Sequence, residues 1–407
     1  MTTPAPQRSS VEFITLMALT FSLIAMSIDG MLAALGDIAR DLGAGDPNDR
    51  QLVLTAFFAG LTVGQFIYGP ISDSTGRKPA MYAGIGCFIA GGLICAVTTD
   101  FTTMILARAL QGFGAAGPRI VGMAMVRDLH GGRAMARIMS FVMAVLILVP
   151  VMAPSIGQLI LFVADWRAIF FGLAIMGMVD FLWLAMRQSE TLAPPDRVPL
   201  SLRRILLSAR EAVTHRTTLG YTLATGFIFG AVISYLGTSQ QIFQEQYGTG
   251  RLFGLYFGIL AAGIGLAAIV NARLVNRFGM RNLSKWALRT SCLLSIVFLV
   301  IAFLLGGHPP LWAFMAYMTV LFFCNGLQFS NYSALAMEPM GHIAGVAAAV
   351  VGSLSNLVAV GTGTPVGQLY DGTVIPLVAG FAGLGIAALL AAEWAELGRP
   401  TRTITPS

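Results

Sequence analysis

The chain has 407 residues, of which 56% are hydrophobic and only 11% charged, with a formal net charge of +6. A soluble domain carries roughly 25% charged residues. That gap argues against a soluble globule and for a polytopic membrane protein whose solvent is mostly lipid.

Twelve apolar runs are long enough to cross a bilayer as helices. They cover roughly 13–36, 51–72, 79–97, 102–126, 137–162, 166–186, 217–240, 252–274, 284–305, 311–335, 344–365 and 373–395, each near the ~20 residues a span needs. Continuous apolarity excludes the alternating strands of an outer-membrane barrel, and a helix satisfies its backbone within itself. The first run reads as a retained span. It is preceded by a single Arg8 and continues past Asp29 without a clear cleavage site. The four cysteines, Cys87, Cys95, Cys292 and Cys324, fall inside runs and read as buried small apolar residues.

Basic residues cluster on alternate loops, among them Arg127 after span 4 and Arg203, Arg210 and Arg216 in the central loop. This positive-inside bias places both termini in the cytoplasm and explains the net charge without a nucleic-acid partner. The polar stretch 187–216, with its "SETLAPPDRVPLSLRR", divides the chain into six spans (1–186) and six spans (217–407), joined by a flexible cytoplasmic linker. The expected fold is an all-α membrane protein of two six-helix bundles.

The halves echo each other. "GPISDSTGRKP" after span 2 aligns with "ARLVNRFGMRN" after span 8, so that Gly76 meets Gly279 and Asp73 meets Asn276. "GQL" recurs at Gly157–Leu159 and Gly367–Leu369. Transporters are commonly built from such repeats, with substrate bound between the halves.

These motifs carry a family resemblance. "GPISDSTGRKP" resembles the loop 2–3 signature of the major facilitator superfamily. "RALQGFGAAGP" (Arg108 to Pro118) is similar to its drug-exporter motif, and "APSIGQ" (Ala153 to Gln158) to its antiporter motif, with Ala153 and Gln158 in place of glycine. "MSIDGMLAAL", "VRDLHGGRAMARIMSF" and "GHIAGVAAAVVGSLSNL" are similar to the bicyclomycin and chloramphenicol resistance (Bcr/CflA) branch. The resemblance implies a proton-coupled drug antiporter of the bacterial inner membrane, a monomer acting by alternating access, with no cofactor and no metal. Its partners would be protons, the lipid bilayer and small lipophilic neutral or zwitterionic drugs.

Ionisable residues within spans are costly and are candidates for function. Asp29 and Arg108 lie at similar depth, about 10 Å from the outer end, and the family lines its cavity with spans 1 and 4. Asp29 is the expected proton carrier and Arg108 its electrostatic partner. Arg119 lies eleven residues past Arg108, about 20° around the helix, with Gly112 and Ala115 between them leaving space for a ligand. Tyr235 and Gln241 from span 7, with Asn325, Gln328 and Tyr332 from span 10, are expected to complete the substrate wall. Pro150, Pro154 and Gly157 suggest a kinked span 5 packed on its repeat partner. Gly69, Asp73, Gly76, Arg77, Lys78 and Arg127 would form a cytoplasmic latch that engages when that side closes.

Two other classes compete with this reading. A symporter or facilitator importing a metabolite could use the same fold, though "APSIGQ" argues for antiport. An enzyme or receptor would need a metal cluster, a nucleophile with its base or an extramembrane domain. Four scattered histidines and short loops supply none, and no P-loop spacing indicates ATP.

Overall fold

The computed structural model describes residues 10–397. The two tails, expected in the cytoplasm, lie outside the described residues. Within them the chain is helical, in the order α1 (Ser10–Asp29), α2 (Leu35–Asp41), α3 (Leu52–Thr75), α4 (Arg77–Val97), α5 (Phe101–Leu129), α6 (Gly132–Ile160), α7 (Arg167–Arg187), α8 (Leu202–Thr214), α9 (Arg216–Gln240), α10 (Phe253–Phe278), α11 (Met280–Leu304), α12 (Leu311–Met337), α13 (Ala344–Gln368) and α14 (Ile375–Glu396).

Among the described residues, eleven helices are long and apolar enough to cross a membrane. The expected fourth span, α5, is 29 residues long, but Arg108, Arg119 and its small residues dilute its apolarity. Two other expectations shift. The first run does not continue as one helix, because α1 stops at Asp29 and the chain passes through a tight turn at Leu32–Ala34 before α2. The central linker is not wholly irregular, since α8 forms within it and packs on α9 and α13.

Each contact among the earlier long helices has a counterpart among the later ones. Helix α1 packs on α6 as α9 packs on α13, α4 on α5 as α11 on α12, and α4 on α7 as α11 on α14. The turn between α3 and α4 is made at Gly76 (φ +109°), and that between α10 and α11 at Gly279 (φ +76°). Only glycine adopts these angles without strain. The two sets meet along α3 against α13 and α6 against α10. Large apolar side chains on the outer surface, such as Leu106, Ile175, Leu293 and Leu390, are exposed, as expected where lipid is the solvent.

Small residues set the helix spacing. A Cβ at Gly157 would overlap the carbonyl oxygen of Gly30, and one at Gly363 that of Gly230. The α1/α6 and α9/α13 crossings thus share one design, in which backbones approach too closely for any side chain. The matched glycines lie one turn from the "GQL" echo, because Gly363 rather than Gly367 occupies the equivalent crossing.

Candidate functional site

A cavity of about 590 Å³ opens at the end of the bundle where the linker lies. Phe66, Gly69 and Asp73 of α3 and Arg119, Met123 and Arg127 of α5 form one wall, and His342 and Val346–Val350 at the start of α13 the other. Linker residues Val198–Ser201 run along its edge, held where Val198 N–H donates to the Asp73 carbonyl at 2.9 Å. Arg119 and Arg127 are both exposed to this space.

The opposite end is shut by polar side chains that cross between the two sets of helices. Arg50 donates to the Gln240 side chain at 2.7 Å and ion-pairs with Glu245. Gln51 donates to the Gln241 side chain (2.9 Å) and to the Gly367 carbonyl (3.0 Å). Asn48 donates to the carbonyls of Gln368 and Tyr370 and accepts from Gln241 at 2.7 Å. Gln241 therefore belongs to this seal rather than to a substrate wall. It begins a π-helical turn, Gln241–Gln246, that follows α9. The seal was hidden in the sequence because "DPNDRQ" reads as an ordinary polar loop.

Between cavity and seal lie the charged residues singled out from the sequence. Arg108 is fully buried and its guanidinium is almost saturated. It donates to the Ser27 hydroxyl (3.0 Å) and carbonyl (3.1 Å), the Val53 carbonyl (3.2 Å) and the Gln111 side chain (2.5 Å), and lies 4.5 Å from the Phe57 ring centroid. Asp29 is 5% exposed. It comes two residues after Ser27, hence about 200° around α1 from it. Asp29 and Arg108 thus share a depth but not a face of α1, and they form no ion pair. Asp29 instead lies within electrostatic range of the Tyr235 hydroxyl on α9.

The later helices present buried polar groups without hydrogen-bond partners. Among the described residues they include the Ser234 and Tyr235 hydroxyls on α9, Ser284 on α11, the Asn325 and Gln328 amides and the Tyr332 hydroxyl on α12, and Ser353 and Asn356 on α13. Buried polar groups are normally paired, so each of these is a point at which water or a ligand could supply the missing partner. Ser353 and Asn356 escaped the sequence reading because single polar residues in an apolar span are equally suited to helix packing. The Tyr332 ring packs among the later helices, 5.2 Å from that of Tyr221.

Gly112 and Ala115 also lie away from the cavity. A Cβ at Gly112 would overlap the Phe57 carbonyl, so this stretch serves close packing of α5 on α3. Pro150, Pro154 and Gly157 lie on α6, which packs on α1 and α10 rather than on its repeat counterpart α13.

The turn at Gly76 carries a polar cluster. Arg77 bridges Asp73 (2.5 Å) and Asp128 (2.8 Å) and donates to Ser72. The partner that completes it is Glu190 of the linker, which accepts from the backbone N–H groups of Arg77 and Lys78 at 2.9 and 3.0 Å. Burial disfavours the Glu190 charge, but the N–H groups of Leu192, Arg77, Lys78 and Thr191 outweigh it and hold the carboxyl below its ordinary range. Lys78 reaches the Ala185 carbonyl at 3.5 Å. With the adjacent cavity open, the cluster's ties run to the linker and not to the later helices.

The sequence profile described as Major Facilitator Superfamily matches residues 15–364. An uncharacterized MFS-type transporter, YdgK, of Bacillus subtilis is 33% identical over 359 residues, 86% of this chain and 87% of that protein. A bicyclomycin resistance protein homolog of Haemophilus influenzae is 28% identical over 91% of this chain and 93% of its own. The multidrug resistance protein MdtL of Salmonella typhi is 29% identical over 62% of this chain and 63% of its own. Among solved structures, a D-xylose-proton symporter superposes with a TM-score of 0.71 at 15% identity, covering 95% of this chain and 97% of that one. The human organic anion transporter MFSD10 superposes with a TM-score of 0.66 at 17% identity, covering 95% and 100%. At such identities the structural likeness speaks to fold alone.

Proposed function

The chain belongs to the Major Facilitator Superfamily, and we propose that this transporter is a proton-coupled drug exporter of the bacterial inner membrane, similar to the Bcr/CflA branch. In this reading it is a monomer with twelve spans in two six-helix bundles, 1–186 and 217–407. Both termini and the linker 187–216 are cytoplasmic, consistent with the charge bias of the loops. The open cavity then faces the cytoplasm and takes up a small lipophilic neutral or zwitterionic compound. The names of the bicyclomycin and multidrug resistance relatives support export.

The observation that carries proton coupling is Asp29, a buried carboxylate that makes no ion pair among the described residues and lies within electrostatic range of Tyr235 of the other bundle. A carboxylate there is expensive when charged and becomes tolerable on taking a proton. Opening to the outside would load it. Closing the seal at Arg50 and Gln51 and opening inward would release the proton and admit drug. Arg108, held by Ser27 and Gln111, positions the end of α1 rather than pairing with the acid.

Everted vesicles with an imposed pH gradient test this. Uptake of a phenicol or bicyclomycin should collapse when the gradient is dissipated, and Asp29→Asn should abolish gradient-driven uptake while leaving the protein folded. Full uptake without a gradient would indicate a facilitator, and active uptake by the Asp29→Asn variant would move the proton site elsewhere.

A further inference from the structure

We infer that the open cavity selects ligands bearing a carboxylate or similar anionic group, with Arg119 as the selecting residue and Arg127 as its outer attractor. The inference narrows the substrate class of the export reading to compounds that carry an anionic group, zwitterions included, and rests on that reading only for the direction of movement.

The charge inventory of the cavity carries the argument. Among the described residues Asp73 is the sole carboxylate in its lining, and it is bound to Arg77. His342 at the rim faces Glu211 of α8 at 2.7 Å. Arg119 and Arg127 remain. Both side chains are exposed to the cavity, and among the described residues neither makes an ion pair or side-chain hydrogen bond. The surrounding wall is mostly apolar, with Phe66, Ile120 and Met123 beside the two arginines.

A guanidinium in an apolar recess is poorly served by water and strongly attracts an anion, because the low-dielectric walls weaken screening. Its planar fork matches a carboxylate's two oxygens. The arginines are eight residues apart on α5, so Arg119 lies about 12 Å deeper than Arg127. The outer cation would draw the acid in, and the inner one would hold it with the ligand's apolar part against Met123 and Ile120. A lipophilic cation would meet two unneutralised positive charges and be disfavoured. An anionic lipid headgroup shares the same chemistry and must be separated by experiment.

The probes are pyrenebutyrate, its neutral amide and pyrenebutylamine, bound to the purified full-length protein and followed by fluorescence. The carboxylate should bind at least about tenfold more tightly than the amine, the scale of one charge-assisted contact. Arg119→Gln should erase most of that preference, and Arg119→Lys should keep a good part of it while controlling for folding. Equal binding of all three probes, or a preference that survives in the Arg119→Gln/Arg127→Gln double variant, overturns the inference. Nanodiscs of phosphatidylcholine with and without phosphatidylglycerol separate the sources. Carboxylate preference in both supports a substrate, whereas retention of phosphatidylglycerol with no pyrenebutyrate binding assigns the cavity to a headgroup and overturns it. Gradient-driven export of pyrenebutyrate is measured in parallel. Its absence with the carboxylate preference intact defeats the export reading alone.

Discussion

The carbonyl oxygen of Gly30 occupies the space in which a side chain at Gly157 would begin. This contact ties α6 to the first residue beyond Asp29, so the antiporter-like segment and the expected proton site are one mechanical unit. Gly157→Ala must force α1 and α6 apart. Overpacking of this kind costs about 1–3 kcal/mol, seen as a lower melting temperature in detergent. Export should fall more than stability, because the displaced residue adjoins Asp29. Gly363→Ala, against Gly230, should cost similar stability with a smaller loss of coupling. Equal effects of the two on coupling would remove the special role of the Gly30 contact.

Much of this was legible in the chain itself, and the exceptions share a cause. Eleven of the span positions follow from apolar length alone, and the Gly76 turn follows from a glycine between charged residues. What periodicity cannot give is rotation about a helix axis relative to its neighbours. Asp29 and Arg108 have matching depth in the sequence, yet Ser27, two residues away, is what meets the arginine. Gln241 looked like a cavity residue because it continues the polar stripe of α9, and only contact with Asn48 and Gln51 identifies it as part of a seal. Glu190 lies far from Gly76 in sequence, so its capping of α4 had no local signal.

The far seal hinges on Arg50, whose guanidinium reaches Gln240 and Glu245 from across the interface. Arg50→Ala should therefore favour an arrangement open at this end. Charged hydrogen bonds of this kind contribute about 1.5–3 kcal/mol, enough to shift a balanced two-state equilibrium by about tenfold or more. Spin labels at Asp37 and Asp371, on the two sides of the seal, should report a longer distance population in the variant. An unchanged distribution would mean the glutamine contacts alone keep this end shut.

Glu190 gives a pH-dependent signature at the linker end. Its carboxyl is held below the ordinary range in the folded protein. The stabilisation it provides is therefore present above the unfolded-state value of about 4.3 and is lost as pH falls through the lower folded value. At neutral pH, Glu190→Gln should speed hydrogen exchange at the Arg77 and Lys78 amides. The difference from the unaltered protein should shrink as the pH falls through the lowered folded value, where the native carboxyl also protonates. A difference that persists unchanged in acid would assign the protection to shape and not to charge.

Arg108 offers the sharpest contrast between charge and geometry. It is buried without a carboxylate, and its stability comes from four hydrogen bonds in a fixed fork to Ser27, Val53 and Gln111. Lysine keeps the charge but has three donors on a compact head and cannot reproduce the fork. Arg108→Lys should leave at least one buried acceptor unsatisfied, at about 1–3 kcal/mol each. It should also loosen the end of α1, lowering both melting temperature and coupled export. If the arginine acted chiefly by its field on Asp29, lysine would preserve the pH dependence of export at near-normal rate. We expect the opposite, a lower rate with the apparent pH midpoint little changed, because Ser27 turns the guanidinium to the face of α1 that Asp29 does not share.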